Sequence, residues 1–178
     1  PSFFSPVWVE RNMEAQKRLI SGRSRRNITA CRMYAANWDS DYTTTFRKLT
    51  AAKCQMDLSY MPDNGQYGYL FGSGFPFLPM DHGGLPFPVY ELPTLWSDSN
   101  ETPLSPDITA KLLKESAERY HQPVVFNFSA DAMRDHPHYQ SIEAWTKATD
   151  LASQLHIRRT TVQSFMEHFS ARKKAKIE

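Results

Sequence analysis

The sequence predicts a mixed α/β fold in which helices alternate with short parallel strands. Two observations support this class. Apolar residues recur with helical spacing in several segments of about 12 residues, and short apolar segments lie between them. Strands that are separated by such helices pair in parallel through crossover connections. A third feature, a stretch rich in glycine and proline after residue 60, predicts a β-hairpin insert. The length of 178 residues predicts one domain or fragment spanning 1–178.

The first half predicts two helix–strand pairs. A helix is predicted over Trp8–Ser21, because its apolar residues fall on one face and a glycine follows it. Ile28–Tyr34 is rich in β-forming residues and predicts a strand. Asp39 or Ser40 is suited to cap the next helix, and Cys54–Tyr60 predicts the second strand.

The insert comprises two turns and a third apolar strand. Met61–Gly68 holds a strong turn signal, and Phe71–Pro79 is expected to be irregular because proline cannot donate to a strand ladder. His82-Gly83-Gly84 predicts a hairpin turn that leads into a strand over Phe87–Leu95.

The second half repeats the alternation of helix and strand. Ser105 and Pro106 are typical of a helix start. A helix over Ser141–Leu155 is expected to turn Ile142 and Trp145 inward. The remaining predicted elements are a strand at Pro123–Phe128, a polar loop at 129–138, a short strand at His156–Arg159 and a last helix capped by Thr160 or Thr161.

Composition excludes several classes of protein. The 21 basic and 19 acidic residues nearly balance, and the basic clusters lack the aromatic motifs of nucleic-acid binding. No apolar run approaches the length of a membrane helix. Cys31 and Cys54 are expected to be buried free thiols, although a disulfide and the compartment both stay open. Neither nucleic acid nor a membrane is therefore an expected partner.

Polar and aromatic residues follow the predicted strands, where parallel sheets carry their sites. If they converge at one edge of the sheet, they would form a cleft suited to a sugar, with Trp38, Tyr60 and Trp96 stacking on pyranose faces. For each of these rings, ordinary packing in the core is the alternative. The strand-end residues are Arg32, Tyr34, Trp38, Asp57, Ser59, Tyr60, Glu91, Asp98, Asp131, Asp135, His136 and His138.

One residue separates His136 from His138, and two histidines with this spacing can bind a metal from an extended strand. A metal site needs a third ligand and supporting contacts, and Asp131 or Asp135 is the only nearby candidate. A loop rich in Asp and His is more often simply solvated, so no metal ligand is predicted in this chain.

Three segments in order resemble the C-terminal portion of the polysaccharide deacetylase (NodB homology) family. They are ITACRMYAANWDSDYTTTFRKLTAAKCQMDLSY at 28–60, YLFGSGFPFLPMDHGGLPFPVYELPTLWSD at 69–98 and HIRRTTVQSFMEHFSAR at 156–172. The first is similar to the family's arginine-bearing strand and the strand that ends in Asp-x-Ser-Tyr. The second is similar to the Val-Tyr-Glu-x-Pro hairpin, and the third to the closing strand and helix.

The resemblance implies a distorted (β/α) barrel that removes acetyl groups from amino sugars. The family's divalent metal, such as zinc, is held by one Asp and two His in Thr-Phe-Asp-Asp-Gly and His-x-x-x-His motifs, and this sequence contains neither. By the same resemblance, Arg32 would orient a catalytic base, Asp57 would lie at the site, and His136 is the nearest match to the general acid. Tyr60, Trp38, Trp96 and Asp98 would contact the carbohydrate.

The resulting prediction is a portion of a deacetylase-like domain that is inactive alone. The expected partners are carbohydrate and either an N-terminal half that brings zinc or a second copy of the chain. Two alternatives stay open. One is a non-catalytic carbohydrate-binding or scaffold domain of the same fold, and the other is a self-contained α/β domain with a small-molecule site around Asp57, Tyr60 and Asp98.

Overall fold

A computed structural model describes residues 6–25, 27–33, 38–62, 67–97, 105–128 and 139–175, with backbone only at 6–12 and 139–141. The described part is mixed α/β, which confirms the coarse fold class. Its strands form one three-stranded and one two-stranded parallel sheet. Within these ranges the strands do not close into a barrel, so the barrel implied by the resemblance stays a prediction.

The elements of the described part are five α-helices and five two-residue strands. The helices are α1 Pro6–Ser24, α2 Tyr42–Ala51, α3 Pro106–Glu115, α4 Tyr139–Gln154 and α5 Val162–Lys174; the strands are β1 Ala30–Cys31, β2 Met56–Asp57, β3 Tyr90–Glu91, β4 Trp96–Ser97 and β5 Phe126–Asn127. A π-helical turn, Ser116–Tyr120, extends α3. None of the helices in these ranges is long and apolar enough to cross a bilayer.

The chain divides into two compact units. Unit 1 comprises Pro1–Tyr60 and Pro76–Leu92, and unit 2 comprises Met61–Phe75 and Pro93–Glu178. Unit 1 therefore carries the three-stranded sheet, and unit 2 carries the β4–β5 pair. The expected single domain over 1–178 stays a prediction.

The helix of unit 1 that precedes β2 is capped at Asp41, and not at Asp39 or Ser40 as the sequence predicts. Asp41 is the N-cap of α2, since its carboxylate accepts hydrogen bonds from the backbone N–H and the hydroxyl of Thr43. The predicted cap Asp39 instead pairs with Lys48 at 2.7 Å, and that lysine side chain is almost wholly buried. Asp39 is thus held by α2 without capping it.

The insert forms an antiparallel hairpin, as predicted. Bridges join Phe77 to Glu91 and Met80 to Pro86, and the Asp81 carboxylate accepts from the N–H groups of Gly83 and Leu85 at the turn. The third strand is much shorter than predicted. Prolines 86, 88 and 93 flank it, and a residue without an N–H cannot continue a ladder.

The two cysteines of unit 1 are joined to each other. Cys31 and Cys54 form a disulfide with a Cα–Cα distance of 6.2 Å, so the expectation of two free thiols is wrong. Cys54 belongs to the buried core with Phe46, Leu49 and Val89. The cross-link therefore ties the end of β1 to Cys54, which comes shortly after the end of α2 and lies in this core.

The helices α3 and α4 pack against each other in unit 2. The face of α4 that is turned inward carries alanines at 144, 148 and 152, all buried, and two of them share a core with Leu113. Ile142 and Trp145, which were predicted inward, are 39% and 48% exposed. Small side chains let two helices approach closely, and this contact favours the alanine face over the larger residues.

The strand predicted at His156–Arg159 is absent, because this segment ends α4. His156 adopts a left-handed φ of 53°. Its N–H donates to the Ser153 carbonyl, and the N–H of Ile157 donates to that of Ala152. These are the two bonds of a Schellman cap, in which an apolar residue commonly packs back on the helix. Ile157 does so, since it packs against the buried core of unit 2.

Candidate functional site

The three strands of unit 1 end at the same edge of their sheet. Cys31 pairs with Asp57, and Asp57 pairs with Glu91. Both pairings are between parallel strands, so the residues that follow each strand emerge on one side. Asp57 and Glu91 are also register partners, and partners on adjacent strands project to the same face. The edge therefore brings two acidic side chains together.

Both carboxyl groups are completely shielded from solvent. Asp57 and Glu91 each have 0% exposure, and they are register partners on adjacent strands. Two ionised carboxylates in such a place would repel each other, and burial would disfavour both charges. We therefore infer that the pair holds at least one proton.

The surrounding donors favour a negative charge on Asp57. One of its oxygens accepts from the Ser59 hydroxyl at 2.8 Å, and the other from the Ser59 N–H at 3.3 Å. Glu91 accepts from the Tyr60 N–H at 3.0 Å through Oε1, whereas Oε2 has no donor among the described residues. An oxygen without a donor is the natural place for the acid proton, so Glu91 is the neutral partner.

Burial raises the pKa of both acids. Burial raises the pKa of Glu91 well above its ordinary value, and the neighbouring Asp57 carboxyl raises it further. Burial also raises the pKa of Asp57, although hydrogen bonds from Glu91 and Ser59 oppose this rise. The pair thus resembles two carboxyls that hold one proton between them.

The same hydrogen bonds tie the loop after β2 to its neighbours. The Ser59 hydroxyl, which donates to Asp57, accepts the N–H of Met33 at 2.8 Å. The backbone of Tyr60 is held by Glu91. Residues 58–60, which we call the strand-end turn, are therefore fixed to the segment that follows β1 and to the last residue of β3.

The strand-end turn places an aromatic ring beside two others. The Tyr60 ring lies 5.5 Å from that of Trp38 and 6.4 Å from that of Phe77, measured between centroids. Trp38 also meets the edge of Phe46 at 5.2 Å. The rings of Trp38 and Tyr60 are half-buried, so each keeps a part of its surface open. Burial raises the pKa of the Tyr60 phenol, and the negative charge of Glu91 raises it further once that acid has lost its proton.

Four of the seven predicted site residues lie in unit 1. Asp57, Tyr60 and Trp38 come together as described, and Arg32 directly follows the register partner of Asp57, with its side chain exposed. Asp57 itself contacts Ser59 and Glu91 and does not reach solvent.

The stacking role predicted for Trp96 does not fit its position. Its ring lies in unit 2 with 0% exposure, 5.5 Å from Phe128, and its indole N–H has no acceptor in the described ranges. A ring with no open surface cannot stack on a sugar in this structure. The predicted residues Asp98 and His136 lie outside the described residues.

Metal-ligating side chains do not gather in the described ranges. These residues hold no group of three or more His, Cys, Asp and Glu that could bind a metal ion. The His136 and His138 pair lies outside them. Zinc therefore remains an implication of the family resemblance.

Glu91 is the residue whose role sequence reasoning missed. It was recognisable as an acid at a strand end, but its partner was not. The useful signal is that both Met-Asp and Tyr-Glu end apolar segments with an acid. Parallel pairing of those two segments places the acids side by side.

Comparison of the chain with protein-family models, curated proteins and solved structures finds no match. The deacetylase resemblance therefore depends on the three segments quoted for it.

Proposed function

We propose that unit 1 binds carbohydrate at the C-terminal edge of its parallel sheet, as part of a polysaccharide-deacetylase-like fold. The observation that carries the proposal is the pair of half-buried rings, Trp38 and Tyr60, 5.5 Å apart at that edge. Aromatic faces suit the apolar C–H surfaces of sugar rings, and the polar edge of tyrosine offers a hydrogen bond.

The two rings are held rigidly before any ligand arrives. Phe46 packs edge-on against Trp38, and Glu91 holds the backbone of Tyr60. Rigid groups lose little conformational entropy on binding, so preorganisation favours affinity. The exposed Arg32 at the neighbouring strand end supplies a donor for sugar hydroxyls or an acetyl carbonyl.

We place binding ahead of catalysis for this chain. The resemblance implies acetyl removal with a divalent metal, but the motifs that carry its ligands do not occur in this sequence. Asp57 is engaged with Glu91 and Ser59 below the surface, which suits a positioning role. Arg32 and His136 keep their resemblance-based roles only in an assembly that supplies the metal.

The test is a calorimetric titration of the protein with oligomers of N-acetylglucosamine. Wild type should bind, Tyr60→Phe should retain most of the affinity, and Tyr60→Ala should lose at least about fivefold through the lost ring contact. Trp145→Ala is the matched control, because Trp145 is 48% exposed and lies in unit 2. Binding that is absent, or equal in wild type and Tyr60→Ala, contradicts the proposal.

A chelator separates binding from catalysis in the same samples. Affinity should be unchanged by EDTA, because the ring contacts need no metal. Hydrolysis of the acetyl groups by this chain with added Zn²⁺ would contradict the placement of binding ahead of catalysis.

A further inference from the structure

One buried oxygen beside the strand-end turn, Oε2 of Glu91, makes no contact that the proposed carbohydrate site needs. Glu91 Oε2 is shielded from solvent and accepts no hydrogen bond from the described residues. The other oxygen of this side chain accepts the Tyr60 N–H. A buried polar atom without a partner is costly, unless it carries the proton that bonds to Asp57.

No basic side chain of the described residues acts on Asp57 or Glu91. Asp39 and Lys48, on the segment that leads into α2 and on α2 itself, neutralise each other at 2.7 Å. Arg32, after β1, has an exposed side chain. Tyr60 is the titratable group that interacts with Glu91, and its neutral phenol adds no charge. In the described part of unit 1, the proton itself is therefore what balances the two acids.

We propose that the proton shared by Glu91 and Asp57 holds the strand-end turn closed, so that sugar binding at Tyr60 and Trp38 is regulated by pH. This inference rests on the carbohydrate site proposed above. When the proton leaves to solvent, two negative charges face each other across adjacent parallel strands without water. Their repulsion separates the two side chains, and the Tyr60 N–H then loses its fixed acceptor.

The consequence reaches the ring pair through the backbone. Tyr60 is anchored beside Trp38 by the Glu91 bond, and its neighbour Ser59 is anchored by Asp57 and Met33. Separation of the acids removes the Glu91 anchor of Tyr60, whereas the bonds of Ser59 and the bond from the Leu58 N–H to the Cys31 carbonyl do not need the proton. The Tyr60 ring then moves from Trp38, and the sugar platform is lost at high pH.

The experiment follows near-ultraviolet circular dichroism of the sugar-free protein from about pH 5 to about pH 9, outside the range of ordinary carboxyl titration. Wild type should show one transition as the ring pair separates. Glu91→Gln should show none, because its amide donates to Asp57 and accepts from Tyr60 without titrating. Asp57→Asn is the second variant and should also remove the transition, since a neutral partner no longer repels Glu91.

Three results would overturn the inference. They are a flat wild-type profile, the same transition in Glu91→Gln as in wild type, and a Glu91→Gln variant that is unfolded at pH 6, where the amide should reproduce the protonated acid.

The sugar titration and the pH experiment test the two proposals separately. A pH transition with no binding of N-acetylglucosamine oligomers overturns the carbohydrate site alone. Binding with no pH transition overturns the proton switch alone. If both hold, the affinity of wild type should fall through the transition, and that of Glu91→Gln should stay constant.

Discussion

The carboxyl groups of Asp57 and Glu91 meet across two adjacent parallel strands, and neither is accessible to solvent. Paired acids in such a place depend on a proton, since burial disfavours each negative charge and each charge disfavours the other. The pair is also structural, because its oxygens hold the backbone of Ser59 and Tyr60. Stability and the candidate site therefore depend on the same protonation state.

The first prediction concerns the pH dependence of the free energy of unfolding. The folded pKa of Glu91 is raised above its unfolded value. At pH values between the unfolded and the folded pKa of Glu91, the folded state therefore binds more protons than the unfolded state. Stability from this group is fully present below the unfolded pKa of about 4.3 and is lost as pH rises through the folded pKa. Each unit of rise corresponds to about 1.4 kcal/mol.

Urea unfolding across this range, for wild type and Glu91→Gln, isolates that contribution. The difference in the free energy of unfolding between the two proteins should change in favour of the variant as pH rises. Asp41 affects the pH dependence of stability in the opposite sense, because hydrogen bonds from Thr43 lower its pKa. Both proteins contain Asp41, so its contribution cancels when their free energies of unfolding are subtracted. A difference that is constant with pH would contradict the linkage.

The second prediction concerns the disulfide. Cys31 and Cys54 are 23 residues apart in sequence, and closing a loop of this length restricts the unfolded chain by roughly 3 kcal/mol. Reduction should lower the free energy of unfolding by about this amount. A Cys31→Ala, Cys54→Ala double variant should be less stable than wild type and insensitive to reductant. Peptide mapping that finds both thiols free in the oxidised protein would refute the cross-link.

The third prediction concerns the close approach at Gly74. A Cβ on this residue would lie within 3 Å of the Pro123 carbonyl oxygen and of the Tyr69 ring. The ring is itself fixed there, because its hydroxyl donates to the same carbonyl. Gly74→Ala should therefore destabilise unit 2 by roughly 1–3 kcal/mol through overpacking.

The matched control is Gly22→Ala in α1, where an added Cβ meets no atom within 4 Å. It should be neutral, or stabilise the helix by up to about 1 kcal/mol. Thermal unfolding of both variants tests the contrast. Equal effects of the two substitutions would contradict the packing described at residue 74.

The fourth prediction concerns the end of α4. His156 is a non-glycine residue at a φ of 53°, a conformation that costs roughly 1–2 kcal/mol for residues with a Cβ. His156→Gly should raise the melting temperature. Ser153→Gly, three residues earlier in α4, should lower it, because glycine inside a helix costs about 1 kcal/mol. Two shifts of the same sign would contradict the assigned cap.

Local sequence signals predicted the helices better than the strands. Ser105 caps α3 through the N–H of Ile108, with Pro106 in the first turn, as predicted. The strands were predicted too long, and for β3 the reason is that prolines 86, 88 and 93 remove ladder donors. At His156–Arg159 a very short strand was predicted after the helix, whereas the left-handed cap uses the N–H of Ile157.

The candidate site was predicted only in part, for a related reason. Asp57 and Tyr60 belong to one short segment, so their proximity follows from the chain. The partnership of Glu91 depends on the register of two strands separated by the whole hairpin insert. Register follows from the hydrophobic pattern and from turn geometry, and across so long an insert these signals did not assign Glu91 to Asp57.

The most direct test of the account is a carbon-13 NMR titration of the side-chain carboxyl of Glu91, assigned by comparison with Glu91→Gln. The account predicts that this carboxyl stays protonated at pH values where solvent-exposed glutamates, with an ordinary pKa of about 4.3, have ionised. A Glu91 resonance that titrates together with the exposed glutamates would contradict the shared proton, and with it the proposed control of the strand-end turn.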